Sequence, residues 1–150
     1  MFKRFMQRMK DQKGMTLIEI MVVVAIIGSI MALVTVNVMD YLAESKVETT
    51  KIEIKNIENA LEQYKRKSSM YPSTEQGLQA LVEKPTSGKI PENYPKDGYM
   101  KRVPKDAWDE DFIYTSPGTA GHPYEITSLG EDKAEGGEGY AADIKNYEIK

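Results

Sequence analysis

From Met15 to Met39 the chain runs for 25 residues with a single charged side chain, Glu19. As a helix rising about 1.5 Å per residue, such a block spans roughly 37 Å, enough to cross a bilayer core of about 30 Å with some tilt. This segment divides the chain into two materials, because the residues after it are polar and rich in turn formers. The leader before it carries Lys3, Arg4, Arg8, Lys10 and Lys13 against one acid, Asp11, a net charge of +4. With the whole chain at -3, everything from residue 15 onward sums to -7. Basic residues before a span stay in the cytoplasm, so the C-terminal body is expected across the membrane. An acidic body lacks the phosphate-neutralising patch that nucleic-acid binding needs, which excludes nucleic acid as a partner. The chain has no cysteine. Thiolate chemistry and disulfides are therefore excluded, and a small exported head must be held by packing or by a bound ion.

A secretory signal would place a small-residue cleavage site after the apolar block and lose the block with it. No such site follows here; instead Gly14 stands immediately before the block. A cut after Gly14 removes the charges and keeps the membrane helix. The string Lys13-Gly14-Met15-Thr16-Leu17-Ile18-Glu19 resembles the prepilin peptidase recognition motif of type IV pilins and pseudopilins, although that family more often has Phe at the Met15 position. The resemblance implies cleavage after Gly14 by a membrane prepilin peptidase and methylation of the new Met15 terminus. It also implies that the Glu19 carboxylate pairs with the terminal amine of a neighbouring subunit. A carboxylate in a membrane helix is costly, so it calls for a partner; the alternative is a snorkelling or protonated glutamate without a role.

Between Asp40 and Lys67 there is no Pro or Gly, and Val47, Ile54, Ile57, Leu61 and Tyr64 recur on one face of a helix. That stripe fits packing against the chain's own head or a coiled coil; the first is preferred because the rest is too short to form a core alone. Tyr71-Pro72 ends the helix, and Ser73-Thr74-Glu75-Gln76 reads as a capping box opening a short helix that reaches Val82. Residues 85 to 105, with four prolines and two glycines, read as an irregular loop. Strands are expected at 112–115 and 124–127, with a last one over 144–149. The expected fold class is α+β: a long N-terminal helix, membrane half plus amphipathic half, packed on a small antiparallel sheet in the manner of type IV pilins.

Three head segments narrow the resemblance. Tyr71 to Val82, Lys105-Asp106-Ala107-Trp108, and Ser128 through Ile144 are similar to segments of the major pseudopilins of type II secretion systems. Ala107 and Asp109 replace the Pro and Gly usual in that family's turn. The resemblance implies three parts: a leader peptide over 1–14, a transmembrane and filament-core helix over 15–39, and a periplasmic head over 40–150 that includes the amphipathic helix 40–67. It implies a homopolymeric periplasmic filament anchored from the inner membrane. The expected partners are minor pseudopilins, an inner-membrane platform protein with its secretion ATPase, and the outer-membrane secretin. A type IV pilin or a minor pseudopilin is the alternative; the first more often carries a C-terminal disulfide loop, which the absence of cysteine rules out.

Residues 128 to 143 hold Glu131, Asp132, Glu135, Glu138 and Asp143 among four glycines. On composition alone this is a solvated acidic loop without EF-hand spacing. The family resemblance implies a calcium ion there, held by the Leu129 carbonyl and the carboxylates of Asp132 and Asp143, with Lys133 standing where a small residue is usual. No enzyme is expected. His122 is the only histidine and sits in a turn, and Asp106, Asp109, Glu110 and Asp111 are crowded as in an exposed turn. Trp108 is expected to anchor the core or that turn. No phosphate-cradling glycine loop occurs.

Overall fold

A computed structural model describes residues 14–149, and the first thirteen residues of the expected leader lie outside them. Contacts divide the chain into two compact units, Met1–Tyr41 and Leu42–Lys150. Helix α1, Leu17–Ser68, passes through both. Along its first part the described side chains are exposed on every side, Leu17 at 81% and Leu33 at 73% among them. It is the one helix among the described residues long and apolar enough to cross a membrane by length and composition. A helix apolar all round has no stable place in water; it belongs in lipid or among other helices. The Ser29 hydroxyl donates to the Ile26 carbonyl at 2.8 Å, so that polar group is satisfied inside the rod.

In the second unit α1 becomes one-sided, as the apolar spacing predicts. Ile54, Ile57, Leu61 and Tyr64 have no exposed surface, and Val47 packs at the margin. Burying each aliphatic side chain contributes about 1.5–3 kcal/mol. Ser69, in the left-handed region at φ 63, ends the helix, and its N–H donates to the Lys65 carbonyl at 2.7 Å. The last turn carries Lys65, Arg66 and Lys67, cations that complement the helix dipole. Lys65 also lies over the Tyr71 ring, 4.6 Å from its centroid.

Against this face lies an antiparallel sheet of β1 Ile113–Thr115, β2 Glu125–Ser128 and β3 Ile144–Lys145, in the order β1-β2-β3. The register pairs Tyr114 with Ile126 and Ser128 with Ile144, placing those four inward. A tyrosine layer fills the remainder: Tyr71 meets Tyr124 edge-on at 4.6 Å, and Tyr94 meets Tyr99 at 5.3 Å. The Tyr114 hydroxyl donates to the Pro72 carbonyl at 2.9 Å, tying β1 to the segment after α1. Burial pushes the Tyr114 and Tyr94 phenols up to about 12, so this layer stays uncharged at any physiological pH.

The α+β class, the core-facing stripe and the first two strands agree with the sequence. Two elements differ. The capping box forms, with the Gln76 side chain accepting from Ser73 N–H at 3.0 Å and Ser73 Oγ accepting from Gln76 N–H at 3.3 Å. It opens a turn and not an α-helix, because Gly77 turns to φ 59 and only a 3-10 helix, Leu78–Leu81, follows. The last strand stops at Lys145, where the chain enters a 3-10 turn, Asn146–Glu148. There the Asn146 side chain takes over: its Oδ1 accepts from Ile126 N–H at 3.0 Å and its Nδ2 donates to Glu58 of α1 at 3.0 Å. The irregular stretch 85–105 is fastened where Tyr99 and Met100 N–H both donate to the Leu81 carbonyl, at 2.7 and 3.1 Å. Gly98 makes that approach possible, since a Cβ there would lie 2.5 Å from the Val82 carbonyl oxygen.

Candidate functional site

Two places carry the residues singled out by sequence: the start of α1 and the loop between β2 and β3. At the first, Gly14, Met15 and Thr16 precede the helix without regular structure, and a Cβ at Gly14 would meet nothing within 4 Å. The Gly14–Met15 bond thus lies outside regular structure. Thr16 is the helix N-cap. Its Oγ1 accepts from Glu19 N–H at 3.3 Å, while the Glu19 carboxylate accepts from Thr16 N–H at 2.8 Å and from Thr16 Oγ1 at 2.9 Å. This reciprocal capping box satisfies groups that a helix end in lipid would otherwise leave unpaired. Glu19 therefore has a partner inside its own chain. The Thr-x-x-Glu spacing is the local sequence signal for that partner. Met15, Ile18, Glu19, Val22 and Val23 line an open apolar recess.

In the second place, glycines let the loop curl. Gly130, Gly136, Gly137 and Gly139 all have positive φ, and a Cβ at Gly137 would sit 2.1 Å from the Ala141 carbonyl oxygen. The loop closes on itself: Asp143 N–H donates to the Gly136 carbonyl at 3.1 Å, and Gly136 N–H returns to Asp143 Oδ2 at 3.2 Å. The other oxygen, Asp143 Oδ1, is buried with no hydrogen-bond partner. Leu129 and Asp143 line one cavity on the outer face of the sheet, together with Glu125 and Glu135. Asp132 is exposed, does not line that cavity, and accepts from Ala134 N–H at 3.1 Å through Oδ1. Among the described residues no three His, Cys, Asp or Glu side chains converge as a metal cage. The orphaned carboxylate oxygen of Asp143 is the one feature here that fits a hard, oxygen-seeking cation, and Lys145 lines the same cavity. The structure brings Leu129 and Asp143 together and leaves Asp132 apart. Glu135, which the sequence reading did not single out as a ligand, stands in the cavity instead.

Behind the loop lies the 105–111 turn. Asp106 is buried, contrary to the exposed acidic turn expected from its neighbours. Its carboxylate accepts from Trp108 N–H at 3.0 Å, Glu110 N–H at 2.9 Å and the Ser128 hydroxyl at 2.6 Å. Such a set compensates the burial of the charge. Ala107 N–H donates to the buried Thr50 Oγ1 of α1 at 3.2 Å, and half-buried Trp108 packs on the core. Glu110 pairs with Lys133 across the loop. His122 stacks on Tyr147 at 4.5 Å, ring planes 5° apart.

Residues 37–147 match the family model described as type II secretion system (T2SS), protein G, and residues 9–35 match the prokaryotic N-terminal methylation motif. A type II secretion system core protein G of Pseudomonas aeruginosa is 50% identical over 143 residues, covering 95% of this chain and 99% of that one. The Vibrio cholerae core protein G is 45% identical over 145 residues, covering 97% of this chain and 98% of its own length. The crystal structure of the major pseudopilin from the type 2 secretion system of enterohaemorrhagic Escherichia coli superposes with a TM-score of 0.66 at 34% identity. It covers 75% of this chain and 96% of that one. With the methylation motif at its start, the capped apolar helix and the α+β head behind it, the chain belongs to the type II secretion system protein G family, the major pseudopilins.

Proposed function

We propose that this chain is the major structural subunit of a type II secretion pseudopilus, made as an inner-membrane precursor and polymerised into a periplasmic filament. The observation that carries the reading is the α1 rod, exposed at every described position from Leu17 to Val34 and charged only at Glu19. Copies of such a rod can leave lipid only by packing on one another. A heterologous surface repeated from subunit to subunit propagates a helix and does not close a ring. In this reading the prepilin peptidase cuts after Gly14, Met15 is methylated, and Glu19 exchanges its cap for the Met15 amine of the next subunit. The ATPase and platform protein extract subunits from the membrane, minor pseudopilins form the tip, and growth pushes folded proteins through the secretin. The role is mechanical, not catalytic. Overproduced in a host with the secretion machinery, the protein is expected to form sheared surface filaments visible by electron microscopy. Protein that stays wholly in the membrane fraction would overturn the assignment.

The same reading gives the head a calcium ion in the 129–143 loop, with Asp143 and the Leu129 carbonyl as its innermost ligands and Asp132 joining them. The ion supplies positive charge to a segment of five acids and one base. A ligand bound only to the folded state at about 100 times its Kd adds about 2.7 kcal/mol. Calcium is therefore expected to raise the head's melting temperature by several degrees over chelator, and Asp143→Ala to remove the rise. Equal melting in calcium and in chelator would count against the ion.

A further inference from the structure

We infer that Lys133 is a built-in cationic latch that fastens the acidic loop to the 105–111 turn without requiring a metal ion. Lys133 is the only base between residues 128 and 143, and its Nζ pairs with Glu110, 23 residues away in sequence. Its backbone lies at φ 57, a conformation that disfavours an L-residue with a long side chain and that glycine takes freely. The ion pair is what the side chain gains in return.

The latch closes a local circuit. The Ser128 hydroxyl donates to Asp106 Oδ2 at 2.6 Å, and Asp106 Oδ1 accepts from Glu110 N–H at 2.9 Å. Asp106 N–H donates to the Glu110 carbonyl at 2.9 Å, so Glu110 sits on a turn closed by its own hydrogen bonds. The loop leaves that turn at Ser128 and is brought back to it by Lys133. Glu110 is the ammonium's hydrogen-bond partner, and Asp106 and Asp109 add to the negative field around it. Lys105 neutralises the far side, pairing with Asp109 at 3.5 Å. The pair is half exposed, so its strength is that of a surface ion pair and falls with salt. Its value lies in where it acts: on the first turn of a loop otherwise crowded with like charge.

The test is hydrogen exchange, read by mass spectrometry on the full chain in detergent micelles, at residues 131–141 and in chelator. Lys133→Asn keeps a residue that tolerates the left-handed backbone and removes the charge; Glu110→Gln removes the other charge. Each is expected to speed exchange about threefold, the scale of an exposed ion pair, at low salt but not at high salt. The charge reversal, Glu110→Lys with Lys133→Glu, is expected to restore protection. Unchanged exchange in both single variants, or failure of the reversal to recover any protection, would overturn the latch. The inference stands apart from the calcium reading. If added calcium leaves wild-type exchange unchanged, that reading fails while the chelator comparison still decides the latch.

Discussion

Replacing Glu19 by alanine is expected to abolish filaments while leaving cleavage after Gly14 intact. In the single chain the carboxylate holds Thr16 N–H and Oγ1, at 2.8 and 2.9 Å. Losing a cap costs about 0.5–2 kcal/mol, and removing a charge from the first turn of a membrane helix offsets part of it, since such a charge costs about 2.5 kcal/mol or more at the bilayer centre and less toward its edge. The monomer should therefore insert and be processed normally. Assembly is different. The free amine of each incoming first residue then meets no counter-charge in the packed apolar core, and the penalty recurs at every subunit added. Glu19→Gln separates the two roles, because an amide oxygen keeps the cap acceptor and carries no charge. Filaments are counted by electron microscopy of the sheared fraction, and processing is followed by gel mobility. Wild-type filament numbers from Glu19→Ala would remove the intersubunit role. Normal numbers from Glu19→Gln alone would assign the residue to capping.

The second large effect is expected in the head. Asp106→Ala strips acceptors from Trp108 N–H, Glu110 N–H and the Ser128 hydroxyl at once. Hydrogen bonds to a charged group are worth about 1.5–3 kcal/mol each, and their loss is not additive, so a destabilisation of about 4 kcal/mol is expected. That is a large share of the about 5–15 kcal/mol that holds a domain folded. Asp106→Asn keeps one oxygen acceptor and should lose about half as much. Denaturant unfolding of the two variants measures the difference. A loss for Asp106→Ala no larger than that of an exposed acid such as Asp97 would show that the turn is held by other contacts.

Periodicity is enough to read α1: the spacing of Ile54, Ile57, Leu61 and Tyr64 is a local property, and all four have no exposed surface. Features that depend on distant partners were not legible. The burial of Asp106 rests on Ser128, 22 residues on, and the early end of β3 rests on Asn146 reaching Glu58, 88 residues back. The segment after Pro72 failed for the opposite reason. Its capping box was correctly seen, yet the backbone of Gly77 redirects the chain one residue later. At the start of α1, residues 9–35 match the N-terminal methylation motif, and the Thr16 cap has a local spacing of its own. Leu129, Glu135 and Asp143 line one cavity, while Asp132 is turned to its own loop.

Maturation is expected to keep the apolar rod when the leader is lost. The intact mass of the protein extracted from membranes tests it most directly. The expected polypeptide begins at Met15 and carries a methyl group on its amine. A mature chain beginning beyond Met39, or one that retains residues 1–14, would contradict it.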